Sequence, residues 1–308
     1  MKVAIMATGG VGGYFGARLA AAGQEVHFIA RGAHLAALRA NGLRLKSANG
    51  DLHLQSVSAT DNPATVGAVD IVIFAVKQYD SETAARAIKP LIGASTGVIS
   101  LQNGMDRQDP LRAILGRDHV MGGVAYITAA EVTSPGVIAH VGPLARIIFG
   151  ELDGGVSPRG EGFLAACKGA GIDAVLSTNI AKEMWAKFAL LSAFSGVSSV
   201  LRKPIGAILG DPDTRKLLTE AIAETVAVAK ASGADLGGDF LGRQVGLLDK
   251  MLPETKSSML IDLEHRRRLE LAWLSGAVAR FGDEADVPTP THHFIYAALK
   301  LDANGQSG

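Results

Sequence analysis

The sequence predicts an α/β domain built on a mostly parallel sheet, followed by an all-α domain, and three observations predict it. Short apolar runs at residues 2–7, 25–30, 70–76 and 97–101 are too short for helices and suit strands buried on both faces. Stretches of helical spacing, such as residues 33–41 and 81–91, lie between these runs in the alternation that builds parallel sheets. From residue 179 onward the short runs stop and helical spacing continues toward the end of the chain.

A length of 308 residues suits two domains, here 1–178 and 179–308, each with its own core. Lys plus Arg and Asp plus Glu are equal at 30 each, so no excess charge points to a nucleic acid or an anionic membrane as partner. The single cysteine, Cys167, has no partner for an internal disulfide, and scattered histidines suggest no metal site; a reducing cytoplasm is expected. Cys167 lies in a stretch of small residues and reads as packing rather than as a nucleophile. No uninterrupted apolar run of spanning length is found and the first strand begins at once, so a soluble, unprocessed chain is expected.

The first strand, 2–7, leads into a turn crowded with Gly9, Gly10, Gly12, Gly13 and Gly16, then a helix over 14–22 ended by Gly23 and a strand over 25–30. Residues without side chains let backbone N–H groups at a helix N-terminus approach a pyrophosphate, so Gly9, Gly10, Val11 and Gly12 are candidate cofactor ligands. Ala7 stands where a dinucleotide fingerprint has its first glycine, while the surrounding strand, helix and strand supply the setting of a Rossmann domain. The second strand ends at Arg31, and no acidic residue occurs between Val26 and Asn49. A carboxylate there would favour NAD; an arginine favours the extra phosphate of NADP(H).

Residues 43–59 alternate like a hairpin around Asn49-Gly50. The strand 70–76 ends at Lys77 and the strand 97–101 delivers Asn103, both to the carboxyl edge where open α/β sheets bind ligands. Asn103 is a candidate for cofactor or substrate, or for capping the helix after it. Strands over 120–128, 137–141, 146–151 and 173–176 and a helix over 158–170 complete the first domain. The second is expected to hold helices at 180–199, 212–232, 239–251, 257–281 and 291–301, with a frayed tail at 303–308.

Two charges fall in apolar helical patterns. Lys187 follows Glu183 by four residues, which suits a helix-face ion pair as well as a site, and Glu270 could pair with Arg266 or Arg267. Pattern alone leaves both open.

The glycine turn, the lysine after DIVIFAV, the QNGM stretch, the EMWAKFALL helix, SSML with its downstream glutamate and VPTP follow one another along nearly the whole chain. Together they resemble the ketopantoate reductase (2-dehydropantoate 2-reductase) family. The resemblance implies a Rossmann domain and an all-helical domain that often forms a homodimer contact, with the active site in the cleft between them. It implies Lys187 as the catalytic general acid and Glu270 as a catalytic residue near the lysine and the nicotinamide ribose. Lys77 and Asn103 match cofactor contacts, and Ser258 matches a substrate-contacting serine.

The chain departs from the family pattern around the substrate. Leu191 and Ser195 stand where asparagines follow the lysine, Thr255 replaces an asparagine beside the serine segment, and Ile261 replaces a glutamine before Asp262. The expected function is NADPH-dependent reduction of ketopantoate or a related 2-oxo acid. A dehydrogenase for a more apolar 2-oxo acid, with NAD as an alternative cofactor, and an inactive NADP(H)-binding sensor are the alternatives, since an unpaired polar group costs affinity for the wrong substrate.

Overall fold

The computed structural model describes residues 1–305; residues 306–308 of the expected frayed tail lie outside it. The chain divides into two units. The first comprises Met1–Gln102 and Arg107–Ile180, and the second Asn103–Asp106 and Ala181–Gly308.

The first unit runs β1 (Lys2–Met6), α1 (Gly10–Ala21), β2 (Glu25–Ile29), α2 (Gly32–Asn41), β3 (Leu43–Ser47), β4 (Leu52–Leu54), β5 (Ser58–Thr60), β6 (Ile71–Phe74), α3 (Ser81–Ala87), β7 (Gly97–Ser100) and α4 (Gln108–Leu115). It continues with β8 (Val120–Ile127), β9 (Ala130–Ser134), β10 (Val137–His140), β11 (Ala145–Glu151), α5 (Pro158–Gly169) and β12 (Asp173–Leu176). Eight strands form one sheet in the order β12-β11-β8-β7-β6-β1-β2-β5, parallel except where β11 runs against β8. Alternate residues of β1 feed opposite faces: Val3 and Ile5 join one apolar cluster with Phe15, Leu19 and Phe163, while Ala4 and Met6 join another with Ala84, Ala85 and Leu111. Burial on both faces explains why these strands are continuous apolar runs.

A second sheet, β4-β3-β10-β9, was only half expected. The hairpin of β3 and β4 was foreseen; β9 was not, and β10 pairs in parallel with β3 across nearly a hundred residues. This sheet packs on α1, where Ile138 meets Gly13 and the rings of Tyr14 and His140 lie 4.7 Å apart.

The second unit is helical: α6 (Ile180–Leu201), α7 (Ile205–Gly210), α8 (Pro212–Ala231), α9 (Phe240–Leu248), α10 (Ser258–Glu264), α11 (Ser275–Glu284) and α12 (Pro290–Leu299). α6 is long and apolar enough to cross a membrane by length and composition, although Lys182, Glu183 and Lys187 interrupt it, so it is not an uninterrupted apolar run. Two thirds of that stretch is buried, and Trp185, Phe188, Ala189, Ala193 and Val197 form the spine of the unit's core. The single helix expected over 257–281 is two helices. Arg266 adopts a left-handed backbone (φ +54°), and the chain between α10 and α11 is held instead by Leu269 N–H donating to the Ala303 carbonyl. That bond also fixes the start of the tail expected to fray.

Candidate active site

In the first unit, the turn after β1 is anchored before it reaches the helix. Thr8 donates from both its backbone N–H and its hydroxyl to the Ile29 carbonyl, at 3.0 and 3.1 Å, tying the turn to the end of β2. Gly9 then caps α1 without a side chain, and the first N–H groups of the helix have no acceptor within it. The glycines differ in what they do. A Cβ on Gly9 would meet nothing within 4 Å, so this backbone is open to a ligand. A Cβ on Gly12 would strike the Ala7 carbonyl and lie 2.9 Å from Ile5 Cγ2, so Gly12 allows helix and strand to touch. Gly10 lies under the Ala130 carbonyl of β9, which no local pattern signals.

At the end of β2, Arg31 is exposed and forms the N-cap position of α2. Its neighbour His34 accepts the Gly136 N–H at Nδ1 (3.1 Å), joining α2 to the turn between β9 and β10. Burial holds the His34 imidazole below its ordinary pKa, against a smaller upward pull from the Thr8 backbone.

The carboxyl ends of β6 and β7 carry a buried polar chain. Ser100 donates to Gln102 Oε1 at 3.1 Å, Gln102 Nε2 to Ser81 Oγ at 2.7 Å, and Ser81 to Gln78 Oε1 at 3.2 Å. Lys77, partly buried, begins the short turn that carries Gln78. The Arg107 guanidinium, itself buried, donates to the carbonyls of Gln102 and Gly123. Sequence reasoning missed Arg107, because a lone arginine in a polar stretch reads as a solvated loop charge. Since α4 starts at Gln108 after Arg107, Asn103 does not cap it.

In the second unit, Lys187 and Asn103 come together. Lys187 is partly buried on α6, and its Nζ donates to Asn103 Oδ1 at 3.1 Å across 84 positions of chain. Glu183 forms no ion pair among the described residues, so the helix-face alternative does not hold. Glu270 is buried and precedes a 3-10 turn, Leu271–Trp273, rather than lying within a helix. Arg267, one of its suggested partners, pairs with Asp262 at 3.1 Å.

The substrate candidates are spread out. Leu191 is partly buried one turn after Lys187, and Ser195 is fully buried with a hydroxyl that finds no partner among the described residues. Ser258 is exposed at the first position of α10, while Ser257 caps that helix and bonds to Ser198 at 2.7 Å.

A family model described as "Ketopantoate reductase PanE/ApbA" matches residues 3–154, and one described as "Ketopantoate reductase PanE/ApbA C terminal" matches 179–303. A 2-dehydropantoate 2-reductase of Mesorhizobium japonicum is 34% identical to the chain, with 97% of each covered. Among solved structures, a ketopantoate reductase from Ralstonia eutropha superposes with a TM-score of 0.89 at 34% identity, covering 98% of each chain. A 2-dehydropantoate 2-reductase from Geobacter metallireducens gives 0.91 at 29% identity, covering 98% of this chain and 99% of its own. With both matched regions in order and relatives similar end to end, the chain belongs to the ketopantoate reductase family.

Proposed function

We propose that the protein reduces 2-dehydropantoate (ketopantoate), or a closely related 2-oxo acid, with NADPH, using Lys187 as general acid. Family membership supports the reaction class, and the observation that carries the assignment of residues is the Lys187 ammonium held at 3.1 Å by Asn103 Oδ1. Reduction of a 2-oxo carbonyl leaves negative charge on its oxygen, which must meet a cation and a proton. A bound nicotinamide supplies hydride to the carbonyl carbon. Lys187 Nζ delivers the proton to the oxygen, and the bond to Asn103 restrains a four-carbon stem that would otherwise swing. Glu270, buried at the start of its turn, orients the lysine and the cofactor ribose.

The residues fit a dinucleotide. Gly9 leaves the helix N-terminus open, and the N–H groups of Gly10, Val11 and Gly12 belong to the first turn of α1, where a pyrophosphate binds best. Arg31 is exposed where an NAD site would carry a carboxylate, which supports NADP(H). Lys77 and Asn103 are assigned to the cofactor as well, and Ser258 to the substrate.

A second reading rests on Leu191. An apolar side chain one turn from Lys187 suits a 2-oxo acid more apolar than ketopantoate. The test is NADPH consumption by the purified protein with 2-dehydropantoate, run beside NADH and branched and aromatic 2-oxo acids. Turnover of 2-dehydropantoate preferring NADPH is the expected result. Turnover only of the apolar acids favours the second reading, and cofactor binding with no turnover of any acid leaves a sensor.

A further inference from the structure

Residues Asn103–Asp106 group with the helical unit although the chain on either side belongs to the α/β unit. Contacts to the helices hold this short loop. Lys187 Nζ donates to Asn103 Oδ1 at 3.1 Å, Met105 packs against the apolar core of the helices, and Arg280 Nη2 donates to Asp106 Oδ2 at 2.6 Å. Gly104, at φ +95°, supplies the left-handed step between the first contact and the second.

Arg280 is itself placed by its surroundings. Its guanidinium lies 4.9 Å from the Phe281 ring centroid, and Phe281 meets Trp185 edge-on at 6.0 Å. Trp185 is on α6, two residues before Lys187. The contacts therefore close a ring from α6 through Asn103, Asp106, Arg280, Phe281 and Trp185 back to α6. The Asp106 side chain is only 21% exposed, against 78% for Asp239 in the surface pair with Arg243, so solvent screens it less.

We propose that Asp106 and Arg280 are positioning residues for the reaction: their ion pair fixes the loop that presents Asn103, and through Asn103 it aims the Lys187 ammonium. This rests on the reading of Lys187 as general acid. A lysine stem left unrestrained samples many directions, and a small misplacement of a reacting group costs rate rather than cofactor affinity.

The test uses the full chain with 2-dehydropantoate and NADPH, comparing Arg280→Gln, Asp106→Asn, their double variant, Arg280→Lys, Lys187→Ala and Lys187→Ala with Arg280→Gln. Arg280→Gln and Asp106→Asn are each expected to lower kcat about tenfold and to shift its pH profile, with KM for NADPH unchanged. The double variant should be no worse than either single, Arg280→Lys should recover most of the loss, and Arg280→Gln should cost nothing further once Lys187 is alanine. Arg280 is half exposed, so its variants retain the fold and carry the test even if Asp106→Asn does not. The proposal is overturned if Lys187→Ala is impaired while Arg280→Gln keeps wild-type kcat and pH profile, or if Arg280→Gln is equally harmful without Lys187. A failure of the functional reading looks different: Lys187→Ala then turns over as fast as the wild type, or the wild type does not turn over at all.

Discussion

Replacing Gly9 and Gly12 one at a time by alanine separates two demands that a glycine-rich turn makes. At Gly9 the backbone is extended (φ −86°, ψ −165°) and an added Cβ meets nothing within 4 Å. Gly9→Ala should therefore change stability by no more than about 0.5 kcal/mol, the usual range for a site with no named defect. On the proposed cofactor site the new methyl group stands where a pyrophosphate would approach, and we expect NADPH affinity to fall about 10- to 100-fold, or roughly 1.4–2.8 kcal/mol. At Gly12 the same methyl group would strike the Ala7 carbonyl and crowd Ile5 Cγ2 at 2.9 Å and Ala75 Cβ at 3.3 Å. The Ala7 carbonyl is backbone, which cannot swing aside as a flexible side chain does. Overpacking of this kind costs about 1–3 kcal/mol. Helix propensity returns about 1 kcal/mol, leaving a net loss of up to about 2 kcal/mol in the folded state. Urea unfolding and NADPH fluorescence titration, performed on both variants, read the two effects separately. The reasoning fails if Gly9→Ala binds NADPH like the wild type, or if Gly12→Ala unfolds at the wild-type urea midpoint.

Other expectations are independent of the turn. Lys187→Ala should lose about 100-fold or more in kcat, the usual contribution of a positioned acid, and a loss under tenfold in steady-state assays would remove it from that role. Arg31→Glu should raise KM for NADPH about tenfold or more while leaving that for NADH unchanged or lower; equal effects on both cofactors would show that Arg31 does not read the ribose phosphate. Burial holds the His292 imidazole at about 4, below its usual 6.5, so the unfolded chain binds more protons than the folded one between those values. Stability should accordingly fall as pH drops from 6.5 toward 4, by about 3 kcal/mol from this group. In His292→Gln, urea midpoints should depend less on pH in that window, and an unchanged slope would count against the assignment. The buried Cys167 thiol is pushed up to about 12, so it should react with a thiol reagent only as the protein unfolds; rapid labelling in buffer would contradict its burial.

What could be read from the sequence was mostly local. The strand, turn, helix and strand of the first thirty residues carry their own signals, because strands buried on both faces are apolar at every position and a tight turn must spend glycines. Lys187 was visible as a charge in an apolar helix, yet a partner four residues away and one 84 positions away are equally compatible with that spacing. The choice lies in the tertiary structure. The same limit hid the Arg107 contacts to Gln102 and Gly123, and the pairing of β10 with β3. The break between α10 and α11 was illegible for another reason. Arg266 has no propensity for a left-handed backbone that would set it apart in a helical pattern, and the segment is held by Ala303 near the far end of the chain.

The contact of β9 and β10 with the glycine turn sets an order of events during folding. Gly10 lies under the Ala130 carbonyl and Gly13 against Ile138, so the turn that looks most self-contained is finished by chain made more than a hundred residues later. A nascent chain can form β1 and α1 early, since helix and turn formation are fast and local, but closing so long a loop is slow. If these glycines hold the pyrophosphate, as proposed, nucleotide affinity arrives late: a chain stalled before β9 would have the glycine turn and lack the strands packed on Gly10 and Gly13. If the glycine turn is the cofactor site, as proposed, the coenzyme could not serve as an early template for this domain, and its binding would report that the chain has been made past β10.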